Sequence, residues 1–176
     1  MKSILRWIFA PASKIRMFYQ TLKVLMTLAL RVYFRNIDLR GIDRIPKKGP
    51  ILFACNHPSS FMEACILACF QPRELHFLVR GDVFSIKWLK PLLIKTNQIP
   101  IFRFRDGFSK LKKNKNTFSA TYEVLNRGGA VIIYPEGSTE MVKQLRPLQR
   151  GLARMAFGLL DGDRDHPLQV VPVGVN

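Results

Sequence analysis

Acidic residues are scarce in this sequence. Twelve Asp and Glu stand against 28 Lys and Arg, a formal net charge of +16. Such a surface seeks anions: nucleic acid, an anionic membrane face or an anionic substrate, and charge alone does not choose among them. A long uncharged apolar run is also missing. The longest candidate, between Lys23 and Arg31, falls far short of the ~18 residues a membrane-spanning helix needs. The opening "MKSILRWIFAPAS" has an early lysine and an A-P-A triplet resembling a cleavage site, but Arg6 interrupts an apolar run that is already too short, so it is not read as a signal peptide. The three cysteines (Cys55, Cys65, Cys69) lack zinc-site spacing and read as buried thiols in a reducing compartment. His57, His76 and His166 do not form a ligand spacing, so no metal is expected. There is no internal repeat, no low-complexity linker, no recognisable DNA- or RNA-binding motif and no G-x-S-x-G nucleophile turn.

What is present suffices for one domain with a core: 176 residues, 48% of them hydrophobic. Residues 14–34 have helical periodicity. Arg16, Gln20, Lys23, Thr27 and Arg31 recur every three or four positions as one polar stripe. The rest of that surface is large and apolar: Phe18, Tyr19, Leu22, Leu25, Met26, Leu28, Leu30. A basic stripe on a wide apolar helix suits the membrane interface; the alternative is an ordinary helix packed on the domain. The expected division is a membrane-associating segment over 1–36 and a folded domain over 37–176. The sequence stops at Asn176 just as a strand ends, and further elements are expected after it.

From residue 37 the pattern alternates. Strands are expected over 37–41, 50–56, 75–79, 98–102, 130–134 and 168–175. Helices are expected over 61–70, over 82–94 with Asp82 as cap and a break before Pro91, over 109–129 with a glycine stop, and over 147–160. Strand and helix in alternation predict an α/β fold with a central parallel or mixed sheet covered by helices.

The stretch "NHPSSFMEA" (56–64) gathers the chemistry. Asn56 ends a buried strand, and Pro58 disfavours helix at His57. Ser60 suits an N-cap, and Ser60 with Glu63 fits the capping-box pattern. That accounts for Glu63 without any function. His57 has no such account. It sits at a strand-to-helix turn, where open α/β sheets place ligands. A neutral imidazole there is suited to take a proton from a hydroxyl, a step worth ~10²–10⁴ in rate. It would need a carboxylate to fix its tautomer, and the proline turn lets residue 57 fold over the helical turn holding Glu63. Cap and catalytic pair both remain open on the residues alone.

"NHPSSFMEA" resembles the first block of the glycerolipid acyltransferase family, the PlsC-like enzymes typified by 1-acylglycerol-3-phosphate acyltransferases. Three further stretches resemble the later blocks in order: "NQIPIFR" (97–103), "YPEGST" (134–139) and "VVPVG" (170–174), with "LRPLQRG" (145–151) resembling the join between the last two. The resemblance covers about residues 38–175. It implies acyl transfer from a thioester of acyl-carrier protein or coenzyme A to a hydroxyl of a lysophospholipid-like acceptor, lysophosphatidate by default, with no cofactor and no acyl-enzyme. It implies His57 as general base, Glu63 as its partner, Arg103 (with Arg105 beside it) on an acceptor anion, and Glu136, Gly137 and Ser138 at the acceptor site. The expected partners are an anionic membrane surface and an acyl carrier, not nucleic acid. The expected place is the cytoplasmic face of the cell membrane, peripheral or monotopic. Two departures stand out. Five residues instead of four separate His57 from its acid, and the acid is Glu63 instead of aspartate. Thr139 also occupies the usual place of an arginine, leaving Arg146 or Arg150 to supply that charge; this opens the acceptor to others, such as a monoacylated amino-acid lipid. The residues themselves also admit plainer readings. Arg103 and Arg105 suit a solvated strand end, Glu136 a turn cap, and Lys110, Lys112, Lys113 and Lys115 a solvated helix face or a docking surface for an acidic carrier. Rival functions are a catalytically silent lipid-binding relative and a basic nucleic-acid-binding domain.

Overall fold

The computed structural model describes residues 12–59, 61–103, 107–139, 144–159 and 167–176. Its centre is a five-stranded sheet with every pair parallel: β1 (Ile51–Cys55), β2 (Leu75–Arg80), β3 (Gln98–Ile101), β4 (Ala130–Ile133) and β5 (Gln169–Val173). The spatial order is β3-β2-β4-β1-β5. Two of the three inner strands, β1 and β4, read "ILFAC" and "AVII", the continuous apolar runs that a parallel strand covered on both faces requires.

Alternate residues of these strands feed two cores. On one face Leu52, Leu78, Val131 and Ile133 pack with Val124 and Leu125 of α5 (Asn114–Asn126) and Met155 of α6 (Gly151–Phe157). On the other, Ile51, Phe53, Leu75, Phe77 and Ile132 meet Ala64, Leu67 and Ala68 of α2 (Met62–Phe70). A further layer lies outside α2: Leu30 of α1 (Ala12–Tyr33) packs on Cys65 and Cys69.

Part of the polar stripe of α1 bonds the domain. Lys23 Nζ donates to the Gln71 carbonyl at 2.9 Å, Gln20 to Glu74 at 2.8 Å, and the Leu75 N–H to the Tyr19 hydroxyl at 3.3 Å. At 100° per residue the opposite side carries Met17, Val24, Leu25, Leu28 and Val32, and all five are exposed.

Four expected elements differ. Residues 37–41 join no sheet; Gly41, at φ +74, leads into a 3-10 turn over Ile42–Arg44. The helix expected over 82–94 is a 3-10 turn at Gly81–Ser85 and then α3 (Lys90–Lys95). Pro91 lies in the first turn of α3, where its missing N–H costs nothing, so it opens a helix instead of ending one. Asp82 does not cap; it holds the Arg80 guanidinium. The helix expected over 109–129 divides into α4 (Phe108–Leu111) and α5. Asn114 causes the division, because its side chain takes both the N–H (2.9 Å) and the carbonyl (2.6 Å) of Phe102. The helix expected from residue 147 begins at Gly151, because the Gln149 N–H bonds the Pro135 carbonyl at 2.7 Å instead of a helical partner.

The connections place a site. From β1 the chain passes through α2 on one face to β2; from β4 it passes through α6 on the other face to β5. Adjacent strands thus send their connections in opposite directions, which opens a crevice at their carboxyl ends, where such sheets bind ligands.

Candidate active site

The end of β1 is pinned first. The Asn56 N–H bonds the Val173 carbonyl at 3.3 Å. Its side-chain amide donates to the Val175 carbonyl at 2.8 Å and accepts the Val175 N–H at 2.7 Å. Residue 57 therefore leaves the sheet from a fixed point.

Past the Pro58 turn, His57 Nδ1 lies 2.5 Å from Glu63 Oε1. Glu63 is fully buried, and the imidazole is 16% exposed. An ionised carboxylate only accepts, so Nδ1 carries the proton of the neutral ring and Nε2 is left with its lone pair. The same oxygen, Oε1, also takes the Ser59 N–H at 3.3 Å; Oε2 is buried with no hydrogen-bond partner among the described residues. The expected capping box rests on Ser60, which lies outside the described residues. Helix α2 begins at Met62 with Phe61 in the cap position, one residue later than Ser60 as N-cap requires. Starting there puts Glu63 in the first turn, against both the histidine and the chain leading to it.

Tyr134, the residue after β4, lies on the imidazole: ring centroids are 3.9 Å apart and the planes differ by 24°. Burial, above all, raises its phenol well beyond the ordinary range. Cys55 lies beneath the pair, and burial, with Glu63 and Glu136 adding to it, pushes its thiol up to about 12. A thiol so held is not a nucleophile at neutral pH.

The 134–139 turn is closed by a buried ion pair. Arg146 Nε and Nη2 both donate to Glu136 Oε2, at 3.1 and 3.0 Å; Nη1 donates to Ser138 Oγ at 2.9 Å and Nη2 to the Ser138 carbonyl. Gly137 sits at φ +71, and a Cβ there would come within 3.1 Å of Gln149. Its N–H is spent on the Tyr134 carbonyl at 3.1 Å. Arg150 is exposed at the start of α6.

The structure brings His57 and Glu63 together, and Glu136, Gly137 and Ser138 lie in the turn that follows the neighbouring strand β4. Arg103 is elsewhere on the same edge. It follows β3, three strand positions from β1, roughly 14 Å at ~4.8 Å per strand. Arg105 lies outside the described residues. Tyr134 and Asn56 lie inside the quoted stretches but receive no role from the motifs, and Arg80, outside every motif, ends β2 at the same edge and pairs with Asp82 at 2.5 Å. Their signal was position, each being the last or next residue of a strand whose carboxyl end faces the crevice. Among the described residues no three His, Cys, Asp or Glu side chains converge as metal ligands.

The family model described as Acyltransferase matches residues 36–176. The chain is 25% identical over 138 residues to 1-acyl-sn-glycerol-3-phosphate acyltransferase of Bacillus subtilis (strain 168), a match covering 77% of this chain and 61% of that protein. It is 35% identical over 63 residues to glycerol-3-phosphate O-acyltransferase 2 of Saccharomyces cerevisiae (strain ATCC 204508 / S288c), covering 36% of this chain and 8% of that one. No solved structure matches.

Proposed function

Because the chain belongs to the acyltransferase family, we propose that it moves a fatty acyl group from a thioester to a hydroxyl of a lysophospholipid-like acceptor, with His57 as general base. The observation that carries this is the 2.5 Å contact between His57 Nδ1 and the buried Glu63, at the carboxyl end of β1 beside the switch point. Nε2 takes the acceptor's hydroxyl proton as the oxygen attacks the thioester carbonyl. Glu63 holds the tautomer and offsets the charge of the imidazolium that forms. The tetrahedral intermediate collapses, the C–S bond breaks, and the leaving sulfur takes the proton from the imidazolium. The products are an ester and a free thiol. Oxyanion stabilisation falls to the amide end of α2, since Gly137's N–H is occupied. No acyl-enzyme is required.

Both relatives are named for glycerol-phosphate acceptors, which favours lysophosphatidate here. The acceptor's anion falls to Arg103, with Arg105 as second, by charge-assisted hydrogen bonds; Arg146 is committed to Glu136. The donor is acyl-carrier protein or coenzyme A thioester. The setting is the cytoplasmic face of the cell membrane. No described helix is long and apolar enough to cross a bilayer. The exposed apolar side of α1, together with exposed Phe61, Leu145 and Leu148 near the crevice and the +16 charge, suits association with an anionic surface.

The test is an assay of the purified protein with labelled acyl thioesters, on carrier protein and on coenzyme A, against a panel of lysolipids that includes a monoacylated amino-acid lipid. The expected result is acyl transfer with lysophosphatidate preferred. Preference for the amino-acid lipid would overturn the acceptor, and no transfer from any thioester to any acceptor would overturn the reaction.

A further inference from the structure

We propose that Tyr134 is a positioning residue for His57: its ring, laid on the imidazole, fixes the plane of the base that Glu63 fixes at one nitrogen. This rests on the reading of His57 as the base.

Glu63 holds Nδ1, but the terminal torsion of a histidine is broad, so the ring remains able to swing about that anchor. The swing moves Nε2, the atom that must meet the acceptor hydroxyl. A displacement of ~1 Å at a reacting group costs on the order of 10² in rate. A ring 3.9 Å away and 24° from parallel closes off that motion on one side. Tyr134 is itself held. Its carbonyl accepts the Gly137 N–H at 3.1 Å, and the next carbonyl, of Pro135, accepts the Gln149 N–H at 2.7 Å. The stack also sets the electron-rich face of the phenol ring against an imidazole that turns cationic in the reaction, a contact that strengthens as charge develops. The hydroxyl contributes to neither effect; it is buried with no hydrogen-bond partner among the described residues.

The claim is therefore about the ring, and Phe serves as well as Tyr. Steady-state kinetics of the full chain, with palmitoyl-coenzyme A and lysophosphatidate, compare wild type, Tyr134→Phe, Tyr134→Leu and His57→Ala. The expected result is kcat within about threefold of wild type for Tyr134→Phe and down roughly tenfold or more for Tyr134→Leu, with both KM values little changed, since positioning acts on the chemical step. A Leu variant at wild-type kcat, a Phe variant as slow as the Leu one, or a loss confined to KM overturns the proposal. A second measurement needs no turnover. In the proton NMR spectrum of the wild-type protein, the His57 ring protons, assigned by comparison with His57→Ala, show an upfield ring-current shift that Tyr134→Phe keeps. Its absence in wild type overturns the stack outright. The two levels separate cleanly. Wild-type rates in His57→Ala sink the general-base reading itself, whereas an inactive His57→Ala beside a fully active Tyr134→Leu sinks only the positioning role.

Discussion

At the scale of single residues, Glu63 bears two duties through one oxygen. Oε1 takes the Ser59 N–H that ties the turn to the helix and stands 2.5 Å from His57. Glutamine keeps an acceptor for the amide and removes a buried charge, but it does not hold a protonated imidazole as a carboxylate does. Glu63→Gln is therefore expected to melt within a few degrees of wild type and to lose ~10²-fold or more in kcat. A variant that keeps the rate and loses only stability would make Glu63 a capping residue and nothing else. The thiols give a pH prediction. Burial lifts Cys55 from its ordinary 9.0 to about 12 and Cys65 to about 11. Both hold their protons more tightly folded than unfolded, so their contribution is complete below pH 9 and is lost as pH rises toward 11 and 12. Urea midpoints measured from pH 8 to 11 should fall, and fall less steeply in Cys55→Ala. An unchanged slope would contradict the burial argument.

At the scale of elements, the turn after β4 depends on an arginine ten residues further along the same connection. Removing the guanidinium leaves the Glu136 carboxylate buried and unpaired, and breaking such a pair costs about 3–5 kcal/mol. Arg146→Gln should lower the melting temperature by roughly 10 °C and reduce activity as Tyr134 and Gly137 lose their frame. Adding Glu136→Gln should recover part of the stability. A melting point equal to wild type in the single variant would show that the pair does not close the turn. Much of this scale was legible beforehand. The inner strands were readable because burial on both faces demands an unbroken apolar run, and the histidine because a strand end before a proline gave it no structural task. Two misreadings come from side-chain bonds that a local pattern does not reveal: Asn114 divides a helix by binding the Phe102 backbone, and Asp82 leaves its cap for the Arg80 side chain. Pro91 was legible only as a stop, since local sequence does not tell a helix's first turn from its last. Tyr134 reaches His57 because β4 lies beside β1, an adjacency that only the strand order reveals.

At the scale of the whole molecule, charge and apolar surface act together. The inner side of α1 is taken up by Lys23, Gln20 and Tyr19, and the outer side carries Val24, Leu25, Leu28 and Val32 in the open. Flotation with vesicles should show binding to anionic phosphatidylglycerol mixtures and much weaker binding to neutral phosphatidylcholine, declining with salt. The double variant Leu25→Glu with Leu28→Glu should cut vesicle binding at least tenfold with the fold intact, since both side chains are already exposed. Equal binding of that variant, or salt-sensitive capture of nucleic acid without vesicle binding, would contradict the surface assigned to α1. All of these readings converge on one proton transfer at the carboxyl end of β1. The most direct test is the rate of thiol release from an acyl thioester in the presence of lysophosphatidate, wild type against His57→Ala, each shown to be folded by its melting curve. The account predicts that the substitution lowers this rate by at least ~10²-fold at an unchanged fold. A folded His57→Ala releasing thiol at the wild-type rate would contradict it.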